Sequence, residues 1–264
     1  MTAKRKSRRE DPDFPRLGPD EFFPFPDPRG ADSWGVVCSG GNLSPGLLLS
    51  AYRQGIFPWF SEDEPILWWS PDPRFVLFPE KLHVSAAMRR ILNHGRFELS
   101  LDRDFEATIR NCASARRKGQ KGTWITDDMI EAYCALHKLG FAHSAEARLE
   151  GRLVGGLYGA SLGSIFFGES MFSLEPDASK AVFVPLARTL VREGFTLIDS
   201  QVYTEHLAGL GAEEISRDAY LELLAKGLEA PTRRGSWAGI LRDFPASTRR
   251  EGMINAQKKE RTRQ

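Results

Sequence analysis

The stretch from Ile56 to Arg74 constrains the fold more than any other part of the chain. It reads Ile56-Phe57-Pro58-Trp59-Phe60, then Pro65-Ile66-Leu67-Trp68-Trp69-Ser70-Pro71-Asp72-Pro73-Arg74, and holds three of the six tryptophans among four prolines. Proline locks φ and lacks an N–H, so neither a long helix nor a central strand can run through this stretch. A rigid, irregular aromatic loop region is expected, at the junction between a small N-terminal unit and a larger one. Upstream, residues 14–35 alternate phenylalanines (Phe14, Phe22, Phe23, Phe25) with prolines (Pro15, Pro24, Pro26, Pro28). That composition predicts an extended segment pinned to a surface by its aromatics. Ser44-Pro45 is a helix start, a capping hydroxyl followed by proline in the first turn. Leu47, Leu48, Ala51 and Tyr52 follow at helical spacing and Gly55 closes the element.

Beyond residue 75 the pattern becomes regular. Phe75 to Phe78 reads as a strand, Ser85 as the cap of a helix ending near Gly95, and Phe97 to Leu101 as an alternating strand. Asp102 is expected to cap a helix carrying Phe105, Ile109 and Cys112. Thr126 caps another, with Met129, Ile130, Tyr133 and Leu136 as its apolar face and Gly140 at its end. Residues 143–172 read as consecutive antiparallel strands turning at Glu150-Gly151 and Gly163-Ser164. Ala178 to Glu193 reads as a helix that Pro185 should kink or restart. Phe195 to Ile198 is a buried strand leading into Asp199-Ser200-Gln201, and Ser216 begins a last helix. Mixed α/β or α+β architecture follows.

A net charge of +1 excludes a global polycation, so any nucleic-acid contact must come from local patches. Basic runs occur at Lys4 to Arg9, at Arg116 to Lys121 and from Arg249 to Arg263, and charge runs are most often solvated tails or loops. The three cysteines, Cys38, Cys112 and Cys134, form no CxxC pair and no disulfide framework, and no metal site is expected. No stretch approaches the ~20 apolar residues of a membrane span, and no secretory signal is visible. A soluble, cytoplasmic protein is expected.

Few residues combine chemistry with position. Asp199 and Gln201 follow an apolar strand with their side chains on one side, a carboxylate and a carboxamide able to polarise an amine and orient a carbonyl. An aspartate that merely caps a loop fits the same pattern. In Phe166-Phe167-Gly168-Glu169-Ser170-Met171-Phe172 an acid interrupts an apolar run, which is costly unless Glu169 is paired or hydrogen-bonded. Met171 and Phe172 can line an apolar pocket or simply fill a core. Trp59, Trp68, Trp69 and Trp124 can stack on a base or sugar, or act as structural plugs; Trp124 directly follows the basic Arg116–Lys121 run. His137 and His143 match no zinc spacing, and no P-loop or GxGxxG motif is present.

Taken in order, these segments resemble the leucyl/phenylalanyl-tRNA–protein transferases. The matching stretches begin with Gly40-Gly41-Asn42-Leu43-Ser44-Pro45, Ala51 to Phe60 and Pro65 to Arg74. They continue with Gly122 to Thr126, Ala142-His143-Ser144, Leu153 to Gly159, Gly168 to Ser173, Ala178-Ser179-Lys180 and Leu197-Ile198-Asp199. The resemblance implies a small N-terminal domain (14–72) on a larger acetyltransferase-like (GNAT-like) catalytic domain (73–240). A disordered basic tail (1–13) and a charged C-terminal tail (241–264) would flank them. It further implies transfer of Leu or Phe, less readily Met, from aminoacyl-tRNA to the N-terminal Lys or Arg of an acceptor protein, marking that protein for degradation. By the same resemblance Asp199 and Gln201 assist attack of the acceptor amine with Glu169 beside them. Ser170, Met171 and Phe172 line the pocket for the transferred side chain, and Trp59 and Trp124 bind the tRNA 3′ end. No cofactor is implied, since an aminoacyl ester is already activated, and a monomer is expected. The chain departs from the family at Asn42, where Asp is usual, at Ser200, where Cys is usual, and at Ala147-Arg148, where a Trp is expected. Ser200 argues for direct aminolysis without a thiol nucleophile.

Two rival readings remain open. An acetyl-CoA-dependent N-acetyltransferase needs an [RQ]xxGx[GA] turn opening a helix. Arg152-Leu153-Val154-Gly155-Gly156-Leu157 fails it at the last position and sits in a strand. A non-enzymatic RNA-binding module would use the basic and aromatic segment alone.

Overall fold

In the computed structural model of the protein the described residues are 13–62, 64–115 and 123–240. The basic runs at Lys4–Arg9, Arg116–Lys121 and Arg249–Arg263, and nearly all of both expected tails, lie outside them.

The N-terminal part contains β1 (Val36–Ser39), α1 (Pro45–Arg53), β2 (Phe57–Pro58) and β3 (Leu67–Trp69), the strands forming a small antiparallel sheet in the order β1-β3-β2. The Pro/Trp stretch is largely irregular, as expected, but two short strands, β2 and β3, run within it. Its prolines lie outside the strands or, for Pro58, on the edge strand β2, where a missing N–H costs no ladder bond, and Trp68 and Trp69 lie on the central strand β3, paired with both β1 and β2. The segment before β1 is strapped along α1 as expected. The N–H groups of Leu17, Phe23 and Phe25 donate to Ser44 Oγ, Ser50 Oγ and Gln54 Oε1. Phe14 stacks on Phe23, Phe23 meets Phe25 edge to face, and Phe25 reaches Trp68 at 4.9 Å between ring centres. Ser44 is thus the N-cap of α1 by position, while its hydroxyl serves the strap.

The larger part runs β4 (Arg74–Leu77), α2 (Ala86–His94), β5 (Glu98–Leu101), α3 (Phe105–Ser114), α4 (Asp127–Lys138), β6 (Ala142–Leu149), β7 (Arg152–Leu162) and β8 (Ile165–Ser173). It continues through α5 (Ala178–Arg192), β9 (Leu197–Asp199), α6 (Glu205–Ala208), β10 (Glu213–Ile215) and α7 (Arg217–Leu228). Seven strands form one sheet in the order β10-β4-β9-β8-β7-β6-β5, antiparallel throughout except for the parallel pair β8–β9. Strand β5, the helices α3 and α4, the meander β6–β8, helix α5 and then β9, parallel to β8, follow one another in that order. Ser85, Thr126 and Ser216 cap their helices through side-chain oxygens, as read from the sequence. The cap of α3 is Asp104 rather than Asp102. Asp102 takes a left-handed φ of 53° and turns its carboxylate to Ser144, His143 and Trp237. Helix α5 runs unbroken from Ala178 through Pro185, so that proline does not mark its start.

Both faces of the sheet are covered. One apolar cluster joins α1, the small sheet, α3 and α4 to Tyr158, Phe167 and Phe172. A second joins α5 and Met88 of α2 to Leu157, Phe166 and Trp237 on the opposite face. With both faces buried, β7 is almost wholly apolar or small along its length.

Candidate active site

Two irregularities in the central strands create the site. The first is a β-bulge. Gly159 of β7 pairs with Gly168 while Tyr158 pairs with Ser170, leaving Glu169 as the extra residue. The bulge reverses the alternation: Phe167 and Phe172 both pack in the α1/α4 cluster although they are an odd number of residues apart. Gly159 permits it, since a Cβ there would lie 2.2 Å from the Phe167 carbonyl oxygen. The second is the parting of β8 and β9. They pair only from Ile165/Leu197 to Phe167/Asp199, after which β8 continues and the other chain turns away through Gln201 at φ 62°. A cavity of about 500 Å³ opens between the diverging ends.

Glu169, Ser170, Met171, Phe172, Gln201, Trp59 and Trp124 all line this cavity, so the structure brings seven of the eight expected site residues together. Its wall is mostly apolar, with Leu157, Phe166, Phe183 and Ile198 at depth. Asp199 is the exception. It is fully buried and does not line the cavity. Its carboxylate is held by Arg74, with Nε at 2.9 Å from Oδ1 and Nη2 at 2.6 Å from Oδ2. The Tyr220 hydroxyl donates to Oδ2 at 2.8 Å and the Gln201 backbone N–H to Oδ1 at 3.0 Å. Arg74 also donates to the Gly55 carbonyl oxygen and lies over the rings of Phe57 and Tyr220. Burial opposes its charge, but Asp199 outweighs burial and holds the guanidinium ionised, above its ordinary range.

Glu169 is 8% exposed and meets three donors. Oε1 accepts from the Tyr52 hydroxyl at 2.7 Å and from Gln201 Nε2 at 2.9 Å, and Oε2 accepts from the Tyr133 hydroxyl at 3.1 Å. The two tyrosine hydroxyls also touch each other. Burial pushes the Glu169 carboxyl up to about 7 despite these three hydrogen bonds, with the Asp199 charge adding to the rise. Burial likewise pushes both tyrosines well above their ordinary value, so they remain neutral donors. Because Gln201 Nε2 is committed to Glu169, the amide orientation is set, and Oε1 makes no hydrogen bond among the described residues.

Trp59 and Trp124 are half-buried, and Trp59 is fixed by Trp69, which packs on it at 5.5 Å and donates its indole N–H to the Trp59 carbonyl oxygen. Arg74, Tyr52, Tyr133 and Tyr220 were not singled out from the sequence as site residues. The available signal was that a buried Asp and a buried Glu each require partners. Among the described residues no group of three or more His, Cys, Asp or Glu could hold a metal ion, and no helix is long and apolar enough to cross a membrane.

Comparison with known proteins shows what the chain is similar to. The family model "Leucyl/phenylalanyl-tRNA protein transferase" matches residues 76–225, and the model of that family's N-terminal domain matches residues 41–72. A leucyl/phenylalanyl-tRNA–protein transferase of Myxococcus xanthus is 56% identical over 81% of this chain and 91% of its own length. One from Anaeromyxobacter sp. is 55% identical over 84% of this chain and 94% of its own. A GCN5-related N-acetyltransferase from Kribbella flavida has a TM-score of 0.31 at 12% identity, over 66% of this chain and 62% of that one. The chain belongs to the leucyl/phenylalanyl-tRNA–protein transferase family.

Proposed function

We propose that the cavity joins an aminoacyl group from tRNA to the N-terminal Lys or Arg of an acceptor protein, that the transferred residue is Leu or Phe and less readily Met, and that Gln201 is the residue that orients the attacking amine. The observation that carries this reading is the Gln201 side chain, committed through Nε2 to Glu169 and left with Oε1 as an acceptor at the cavity wall. The uncharged α-amine donates one N–H to that oxygen, which turns its lone pair toward the ester carbonyl carbon. A C–N bond forms, the C–O bond to the terminal ribose breaks, and the proton lost by nitrogen is gained by the departing ribose oxygen. An activated ester needs only placement and polar stabilisation for this step.

Glu169 and Asp199 divide the supporting work. Glu169 anchors the amide, and with a pKa near neutrality it can exchange charge at working pH. Asp199 is a positioning residue: it holds the Gln201 backbone N–H and draws β4 onto β9 through Arg74. Met171, Phe172 and Ser170 face the transferred side chain. An apolar pocket of this kind separates side chains differing by one methylene by only ~1–3 kcal/mol, in keeping with acceptance of more than one amino acid. Trp59 and Trp124 stack on the 3′ end of the tRNA. The enzyme acts as a monomer in the cytoplasm, and its products are marked for degradation.

The test follows labelled Leu from Leu-tRNA to a protein beginning with Arg, with a matched protein beginning with Glu as control. Transfer to the first alone is expected. Gln201→Ala should lower kcat by about 10²-fold or more with tRNA binding retained, the scale seen when one polar group that stabilises a transition state is removed. Transfer to neither protein, with tRNA still bound, would leave an RNA-binding module.

A further inference from the structure

Large apolar side chains exposed on the described surface include Phe22, Trp34, Leu174, Val191, Val202 and Tyr203, and of these only Val202 and Tyr203 line the cavity. Tyr203 is 56% exposed, yet its ring is held. It rests on the buried Phe75 at 5.2 Å between ring centres. The Phe75 N–H donates to the Gln201 carbonyl oxygen, and the Val202 N–H to that of Ser200. One aromatic face is therefore fixed at the cavity mouth, on the same short segment as Gln201. Thr204 between Tyr203 and Glu205 is extended (φ −140°, ψ 135°), so these two side chains leave the backbone on the same side. Glu205 is exposed and forms no ion pair among the described residues.

We propose, resting on the aminoacyl-transfer reading above, that Tyr203 and Glu205 form the subsite for the cationic first side chain of the acceptor protein. Amide bond formation requires two substrates in one cavity. The deep wall is apolar and the tryptophans lie with the aminoacyl-tRNA, so neither surface suits a hydrated cation. The mouth beside Gln201 offers the aromatic face of Tyr203, and the exposed Glu205 carboxylate stands two residues further on, just outside the cavity lining; a Lys or Arg side chain can bind both while staying partly in water. The spacing agrees. The Cα atoms of Gln201 and Tyr203, two residues apart, are separated by at most roughly 7 Å, a span on the scale of a Lys or Arg side chain.

Steady-state transfer from Leu-tRNA to an Arg-initiated protein tests the subsite, with both substrates varied in turn. Tyr203→Ala is expected to raise KM for the acceptor about three- to tenfold, with KM for Leu-tRNA and kcat changed by less than about twofold. Tyr203→Phe keeps the ring and should behave as wild type, which separates the subsite from a general loss of fold. Glu205→Gln should raise the acceptor KM alone. An unchanged acceptor KM in Tyr203→Ala overturns the proposal, and so does an equal rise in KM for Leu-tRNA, which would assign the ring to the nucleic acid. Absence of transfer by the wild-type enzyme would instead remove the aminoacyl-transfer reading, and the subsite with it.

Discussion

At the scale of single residues, Glu169 ties folding to pH. Its carboxyl is lifted from an ordinary 4.5 to about 7 by burial. A raised carboxyl pKa means that the folded chain holds the proton more tightly than the unfolded chain does. The stabilisation is full below the ordinary value and disappears as pH climbs through about 7. A shift of this size corresponds to roughly 3 kcal/mol. Glu169→Gln cannot ionise, so the stability of wild type relative to this variant should fall by up to about 3 kcal/mol between pH 5 and pH 8. Urea denaturation at the two pH values measures it, and a constant difference would show that Glu169 is not strained by its charge. The sequence made half of this legible, because an acid inside Phe166–Phe172 must be paired or costly. Its partners were not legible: Tyr52 and Tyr133 lie 117 and 36 residues away, and Arg74 lies 125 residues from Asp199. Local pattern carries no information on which distant donors a fold delivers.

Among the elements, reading was most successful where a local signal decides the outcome, as at the caps Ser85, Thr126 and Ser216 and the two glycine turns of the meander. It failed where tertiary contacts choose between equivalent residues. Asp102 and Asp104 are both competent caps; Asp104 takes the role because Asp102 is claimed by His143, the Ser144 N–H and the Trp237 N–H. The bulge at Glu169 was also hidden, since an extra residue shows only against a paired strand. Trp237 was passed over in the sequence, yet it is fully buried and stacks face to face on His143, 3.7 Å between ring centres. Burial lowers the His143 pKa in spite of Asp102, so the ring is a neutral platform at pH 7. This stack fastens the segment after α7 onto the sheet. Trp237→Ala should destabilise by about 3–5 kcal/mol, the usual cost of emptying a buried aromatic site. Trp237→Phe should recover part of that loss. A change under about 1 kcal/mol in equilibrium denaturation would mean that the segment is not part of the folded core.

Across the whole molecule, the expected separation into a small and a large domain meets a core that both parts share. Leu47, Tyr52, Phe57 and Trp68 belong to one apolar cluster with Ile109, Tyr133, Phe167 and Phe172. Tyr52 brings a hydroxyl from α1 to Glu169 on β8, and Arg74 joins the Gly55 carbonyl oxygen to Asp199 on β9. Removing the N-terminal part, α1 with the small sheet, would uncover apolar surface and strip the Tyr52 donor from a buried carboxyl, both of them large penalties against a total stability of ~5–15 kcal/mol. The chain should therefore unfold as one cooperative unit despite its length. Tryptophan fluorescence, with four of six indoles (Trp34, Trp59, Trp68 and Trp69) in or beside the small sheet, and far-ultraviolet circular dichroism, dominated by the larger part, should give superimposable denaturation curves. Fluorescence that changes first would mean that the small sheet lets go before the rest. The Trp59 wall of the cavity would then be detachable, with the site assembled only when the two parts close on each other.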